Sequence, residues 1–194
     1  MRTDFTALDF TRTRGWEARD RSDDELTDYA GVLRWCERRG VLGTAEARRF
    51  ARAGRARPRA AQAAARRARA LREVAYRVLR TLGTGGMPDQ DALREVAGWV
   101  NRYAAVRQLD GSATGIDWRW EFDPRHLDQP LAPVAWSLAE LLVAPEASRV
   151  RLCEGDDCGW LFIDASRAGS RRWCTMADCG NLMKVRRHRS RSAG

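Results

Sequence analysis

Up to Pro145, apolar positions recur mostly every three or four residues, the spacing that puts side chains on one face of a helix. Ser22-Asp23-Asp24-Glu25 reads as a capping box, and Leu26, Tyr29, Ala30, Leu33 and Cys36 follow at helical spacing up to Gly40. This places Cys36 in a core. Thr44 to Ala53 reads as a short helix capped by Thr44. Pro58 opens an Ala-rich helix to Leu82, with Leu71, Val74, Ala75, Val78, Leu79 and Leu82 as its stripe. Arg66, Arg69, Arg72, Arg77 and Arg80 lie largely off that stripe and read as a solvated face. After the breaker GTGGMPDQ, Pro88 and Asp89 start a helix through Leu93, Val96 and Val100 toward Leu109. Asp110 to Gly115 reads as a turn.

The periodicity then changes. Ile116 to Phe122 alternates apolar and charged residues, the pattern of a half-buried strand; its aromatic face either covers a helical layer or stacks bases. Pro130 to Ala144 is a second buried helix, ended by Pro145. Beyond residue 149 come two short strands, Arg149–Leu152 and Trp160–Ile163, a basic loop to Trp173, and a helix from about Leu182 with Asn181 as its cap. The fold class expected is a mainly α N-terminal domain with a short β element over 1–146. A small four-cysteine, zinc-ribbon-like module over 149–191 follows, ending in a basic helix.

Cysteine spacing gives that module its chemistry. Cys153, Cys158, Cys174 and Cys179 form C-x4-C, fifteen intervening residues, then C-x4-C. Two turns, each presenting two thiolates, close into a tetrahedron around one structural Zn2+ when the intervening segment folds back. An iron site uses the same ligands, and a disulfide pairing suits a secreted protein. Zinc is the preferred reading. Gly155, Gly159 and Gly180 ease the backbone at the turns.

Charge adds a partner. The 194 residues carry a net +9, and all but one of the 35 basic residues are Arg, a bias that a GC-rich genome produces by itself. Its location therefore matters more than its size. From Gly180 to Gly194 there are five basic residues plus His188 and no acid. On a helix, Lys184, Arg187, His188 and Arg191 share one face, opposite Leu182 and Val185. With Arg171, Arg172, Arg186 and Arg189 these form the candidate nucleic-acid contacts, reaching successive phosphates and releasing counterions. DNA is favoured over RNA as the partner, but a basic helix can serve either, and no RNA-binding signature such as an RNP motif is present.

Several classes recede. The longest apolar run, Leu131 to Ala144, is shorter than a membrane span, and MRTDFTALDF carries no apolar signal core. A cytoplasmic protein with no membrane partner is expected. Only His126 and His188 occur, no nucleophile–base motif is recognisable, and a four-thiolate metal has no open position, so no enzyme is expected. The alternatives are an adaptor with the zinc module as a rigid knob for a protein partner, or an RNA-binding protein.

Trp173 to Arg189, WCTMADCGNLMKVRRHR, resembles the CGNR zinc finger found at the C-terminus of bacterial proteins. Leu8 to Gly15, LDFTRTRG, resembles the opening of the ABATE domain that accompanies it. The resemblance implies zinc on the four cysteines and a stress-induced transcription regulator whose finger binds DNA; a role with RNA has also been suggested. The helical domain would then supply homodimerisation, effector sensing or partner contact. Leu182 and Arg12 stand where the family motifs carry Arg and Asn.

Overall fold

The computed structural model describes residues 1, 3–15, 24–112, 115–156 and 158–192, apart from the side chains of Ser112 and of 187–192. Among the described residues the structure is mostly helical, with 59 % helix and seven α-helices. These are α1 (Thr6–Thr11), α2 (Tyr29–Arg38), α3 (Thr44–Ala56), α4 (Pro58–Gly83), α5 (Gln90–Arg102), α6 (Ala132–Val143) and α7 (Asn181–Ser192). Two antiparallel pairs complete it: β1 (Arg107–Ser112) with β2 (Gly115–Trp120), and β3 (Val150–Leu152) with β4 (Leu161–Ile163).

α4 is the axis of the molecule. Its stripe is buried from Ala61 to Leu79, and α1, α2, α3 and α5 all pack on it. The small Ala61, Ala64, Ala65 and Ala68 are buried in its first half, and the larger Leu71, Val74, Val78 and Leu79 in its second. α6 lies against α1, where the buried Ser137 hydroxyl accepts the Ala7 amide at 3.2 Å. At the far end of α4, a Cβ on Gly83 would stand 2.9 Å from the Leu152 amide nitrogen and 3.1 Å from the Arg151 carbonyl carbon. Glycine thus lets the β3–β4 ribbon lie directly on the helix. Val150, Leu161 and Ile163 accordingly belong to the same core as the helices.

Local expectations are revised in several places. Ser22 and Asp23 of the expected capping box lie outside the described residues. α2 begins only at Tyr29, with the Asp28 carboxylate accepting the Gly31 amide at 2.7 Å. Asp24 instead makes a turn, accepting the Leu26 amide, and pairs with Arg72. α3 is entered from Gly43, whose amide donates to Glu46, and Thr44 is already helical.

Arg72 does not belong to a solvated face. It is 1 % exposed and gripped by both oxygens of Asp24 at 2.6 and 2.7 Å. Burial pushes the Asp24 carboxyl up, but the Arg72 hydrogen bonds, the Leu26 amide and the charges of Arg72 and Arg69 outweigh it, and the pKa is lowered.

The region after α5 differs most. The helix stops at Arg102, where Arg102 and Tyr103 are both tied to Asp128. Leu109 lies in β1, and the expected turn over 110–115 is largely strand, with Ser112 opposite Gly115. Register puts Leu109, Ile116, Trp118 and Trp120 on one face. Only Trp120 reaches the core; Ile116 is 78 % and Trp118 50 % exposed, so the strand is not half-buried. Arg107 replaces the expected burial with cation–π contacts, 4.5 Å from Trp118 and 4.7 Å from Trp136.

Candidate metal centre and nucleic-acid interface

β3 ends at Leu152, and Cys153 follows with its amide donating to the Trp160 carbonyl at 2.8 Å. This bond closes the first turn and carries Cys158 to the same end of the ribbon. Cys174 and Cys179 come from the second turn. There the Thr175 hydroxyl accepts the Asp178 amide at 3.1 Å and starts a single π turn, Met176–Gly180, that runs into α7. Thr175, not Asn181, is therefore the cap. Asn181 has helical dihedrals, and its side chain donates to the Ala177 carbonyl at 3.2 Å.

The four ligand sulfurs lie within 4.8 Å of one another. Cys174 Sγ is 3.7 Å from Cys158 Sγ and 3.6 Å from Cys179 Sγ. Zn–S bonds of 2.3 Å in a tetrahedron place sulfurs about 3.8 Å apart, whereas a disulfide requires about 2.05 Å. The spacing fits one metal ion and no disulfide. Cys153, Cys174 and Cys179 are buried and Cys158 partly so, beneath Phe162, Trp160 and Trp173. Gly155 is what admits the second turn, since a Cβ there would stand 3.2 Å from both Cβ and Sγ of Cys179.

Thiolates need donors. The Gly155 and Cys174 amides both point at Cys153 Sγ, at 3.4 and 3.3 Å. Both amides favour the thiolate form of Cys153, the form that ligates a metal. The sulfur-directed amides thus come from the turns, and not from the start of α7 as a capping Asn181 would have arranged.

Asp164 builds the loop between the two turns, and sequence reasoning passed over it. Fully buried, it accepts the Ser166 amide (2.9 Å), the Ser166 hydroxyl (2.6 Å) and the Arg171 amide (3.0 Å). Burial raises its pKa, but the Ser166 and Arg171 hydrogen bonds prevail and lower it. An Asp followed two residues later by Ser after a short apolar strand was the available signal, an Asx turn.

Two family models cover nearly the whole chain. One, described as the CGNR zinc finger, matches residues 149–192. The other, ABATE, is described as "putative stress-induced transcription regulator" and matches residues 5–145. The chain belongs to the ABATE family. No curated protein matches it. In this ABATE protein the cysteine cluster and the finger match together identify one structural zinc on Cys153, Cys158, Cys174 and Cys179.

The candidate nucleic-acid contacts fall into four groups in this ABATE protein. Arg171 is committed internally: Nε donates to the Trp173 carbonyl at 2.9 Å, Nη2 to the Cys174 carbonyl, and its guanidinium lies 4.7 Å from the Phe162 ring. Arg172 and Arg186 are exposed but paired, with Glu154 and Asp156 respectively. Lys184 is exposed, and no ion pair among the described residues involves it. The side chains of Arg187, His188, Arg189 and Arg191 lie outside the described residues, although the helix that carries them is described to Ser192.

Val185 is 48 % exposed, while Leu182 and Met183 are partly buried. Among the described side chains the helix therefore packs through Leu182 and Met183 in its first turn, with Val185 half exposed. Arg12, in the N-terminal motif, reaches across to the finger. Its Nη2 and Nε donate to the Leu161 carbonyl at 2.9 and 3.3 Å, and Nη1 pairs with Asp9.

Proposed function

We propose that this ABATE protein is a cytoplasmic, non-enzymatic transcription regulator whose finger binds DNA through the cationic face of α7. One observation carries the reading: a twelve-residue helix with five Lys or Arg residues and no acid starts in the very turn that holds Cys179. Isolated helices this short are marginal, but here the first turn is fixed by the metal site, so cations are presented at helical spacing to a polyanion. Bound zinc supplies a rigid staple. Arg171 holds the second cysteine turn by its two carbonyl contacts, and Arg172 and Arg186 exchange carboxylates for phosphates on binding. Their pairing with exposed acids costs little to break.

The test is fluorescence anisotropy of the zinc-loaded chain on short mixed-sequence duplex DNA and matched RNA over a salt series. A steep slope with duplex preference is expected. Lys184, Arg187 and Arg191 changed together to Ala should lower the slope of log affinity against log salt by about 2.7, if each meets one phosphate. Arg59, Arg66 and Arg80 changed together to Ala, on the exposed face of α4, should leave it unchanged. Flat binding to both nucleic acids overturns the reading in favour of the adaptor. An RNA preference moves it to RNA.

A further inference from the structure

α2, α3 and α4 surround an open groove of about 1100 Å3. Its floor is Leu33, Ala47, Ala51, Ala61 and Ala65, with the Tyr29 ring at one end. Alanine at four floor positions leaves no side chain long enough to fill the space between helices. An open trough of this size, with an apolar floor and a polar rim, is at the upper end of what small-molecule sites use, about 300–1,000 Å3.

Its rim is charged with one sign in excess. Arg34, Arg48, Arg55 and Arg69 line it, against Asp28 and Glu37. Two of these six have internal duties: Arg69 donates to the Leu26 and Thr27 carbonyls, and Asp28 caps the Gly31 amide. Arg34, Arg48 and Arg55 are exposed, and no ion pair among the described residues involves them. Elsewhere arginines on α2, at its C-terminal cap and on α4 are paired: Arg38 with Glu25, Arg39 with Asp9, Arg77 with Glu95. Arg48 and Arg55 stand two turns apart on one face of α3, about 10 Å along the axis. An apolar body with one anionic end complements this arrangement, since a guanidinium fork takes a carboxylate bidentately while alkyl chain covers alanine.

We propose that the α2–α3–α4 groove binds an amphipathic monocarboxylate of the medium-chain fatty-acid class. The site is separate from α7, so it stands or falls independently of the nucleic-acid reading. The experiment is calorimetric titration of the full-length, zinc-loaded protein with laurate below its micellar concentration. Dodecylammonium serves as the charge-reversed probe and acetate as the tail-less one. Laurate should bind saturably at one per chain, and the other two should not.

Two variants attack the site separately, each checked for native circular dichroism. Arg48→Glu with Arg55→Glu removes the cationic rim, and Ala51→Leu narrows the floor while keeping the charge. Both should weaken laurate by about tenfold or more, the scale of one charge-assisted contact. The proposal is overturned if laurate shows no saturable binding or dodecylammonium binds equally well. Insensitivity of laurate to Ala51→Leu also overturns it, because the rim would then be a plain anion-binding surface. If the Arg48/Arg55 variant loses DNA affinity while wild type ignores laurate, the groove faces nucleic acid and the proposal fails.

Discussion

Replacing Asp24 by Ala takes the close bidentate carboxylate away from a buried charge. Arg72 is 1 % exposed, and Asp24 supplies both of its close carboxylate contacts, at 2.6 and 2.7 Å. Its other contacts among the described residues include the Thr13 hydroxyl at 3.2 Å, the Thr13 carbonyl at 3.4 Å and a distant Glu73 oxygen at 3.9 Å. Breaking a buried pair by removing one partner costs about 3–5 kcal/mol, because the other charge is left in a low dielectric. In a domain of this size that lowers the melting temperature by roughly 6–20 °C.

Urea titration followed by tryptophan fluorescence measures it, as a lower midpoint at unchanged slope. The double replacement Asp24→Leu with Arg72→Met should recover most of the loss, since two apolar groups leave nothing unpaired. The same pair sets an acid limit. Asp24 has a lowered folded-state pKa, so its contribution is complete above the unfolded value near 3.9 and disappears as pH falls through the lower folded value. A loss below about 1 kcal/mol for Asp24→Ala, the range of an exposed pair, would refute the reasoning.

Chelation of the zinc should melt α7 and the second cysteine turn first, seen as lost helical circular dichroism. The helical core should keep its own transition at a lower temperature, because Val150, Leu161 and Ile163 are part of it. Gly83→Ala puts a methyl 2.9 Å from the Leu152 backbone nitrogen and should destabilise by about 1–3 kcal/mol in urea titration, although alanine is the better helix former. Cys36 should resist alkylation at pH 8 in the folded, zinc-loaded protein and react once urea is added; it is buried in the core, and burial pushes its thiol up to about 12.

The sequence made some of this legible and hid the rest for identifiable reasons. The stripe on α4 and the four cysteine ligands were readable because both depend on spacing along the chain alone. Arg72 was missorted because its partner, Asp24, lies 48 residues away, and helical periodicity carries no signal for a buried ion pair. Leu109 continued the register of α5, yet the helix ends where Asp128, 25 residues beyond Tyr103, ties down Arg102 and Tyr103. Alternation marked β2 correctly as a strand but not its exposure, which depends on whether a helix lies beneath it. Asn181 looked like a cap because Asn is a good one; Thr175 took the role by starting a π turn one step earlier.

The seam between α4 and the finger has a mechanical consequence. Gly83 against Leu152, the Tyr76 hydroxyl on the Gly159 carbonyl at 2.9 Å, and Arg12 on Leu161 fasten the finger's base to two helices of the large core. From that base α7 extends twelve residues, about 18 Å. A rotation of about 10° at the seam carries the far end of α7 through about 3 Å, close to the axial step between phosphates on one DNA strand. The helix is a pointer whose pivot sits in the helical domain, so if α7 lies on DNA as proposed, a small change in how α4 packs becomes a change of about one nucleotide in where the pointer lands.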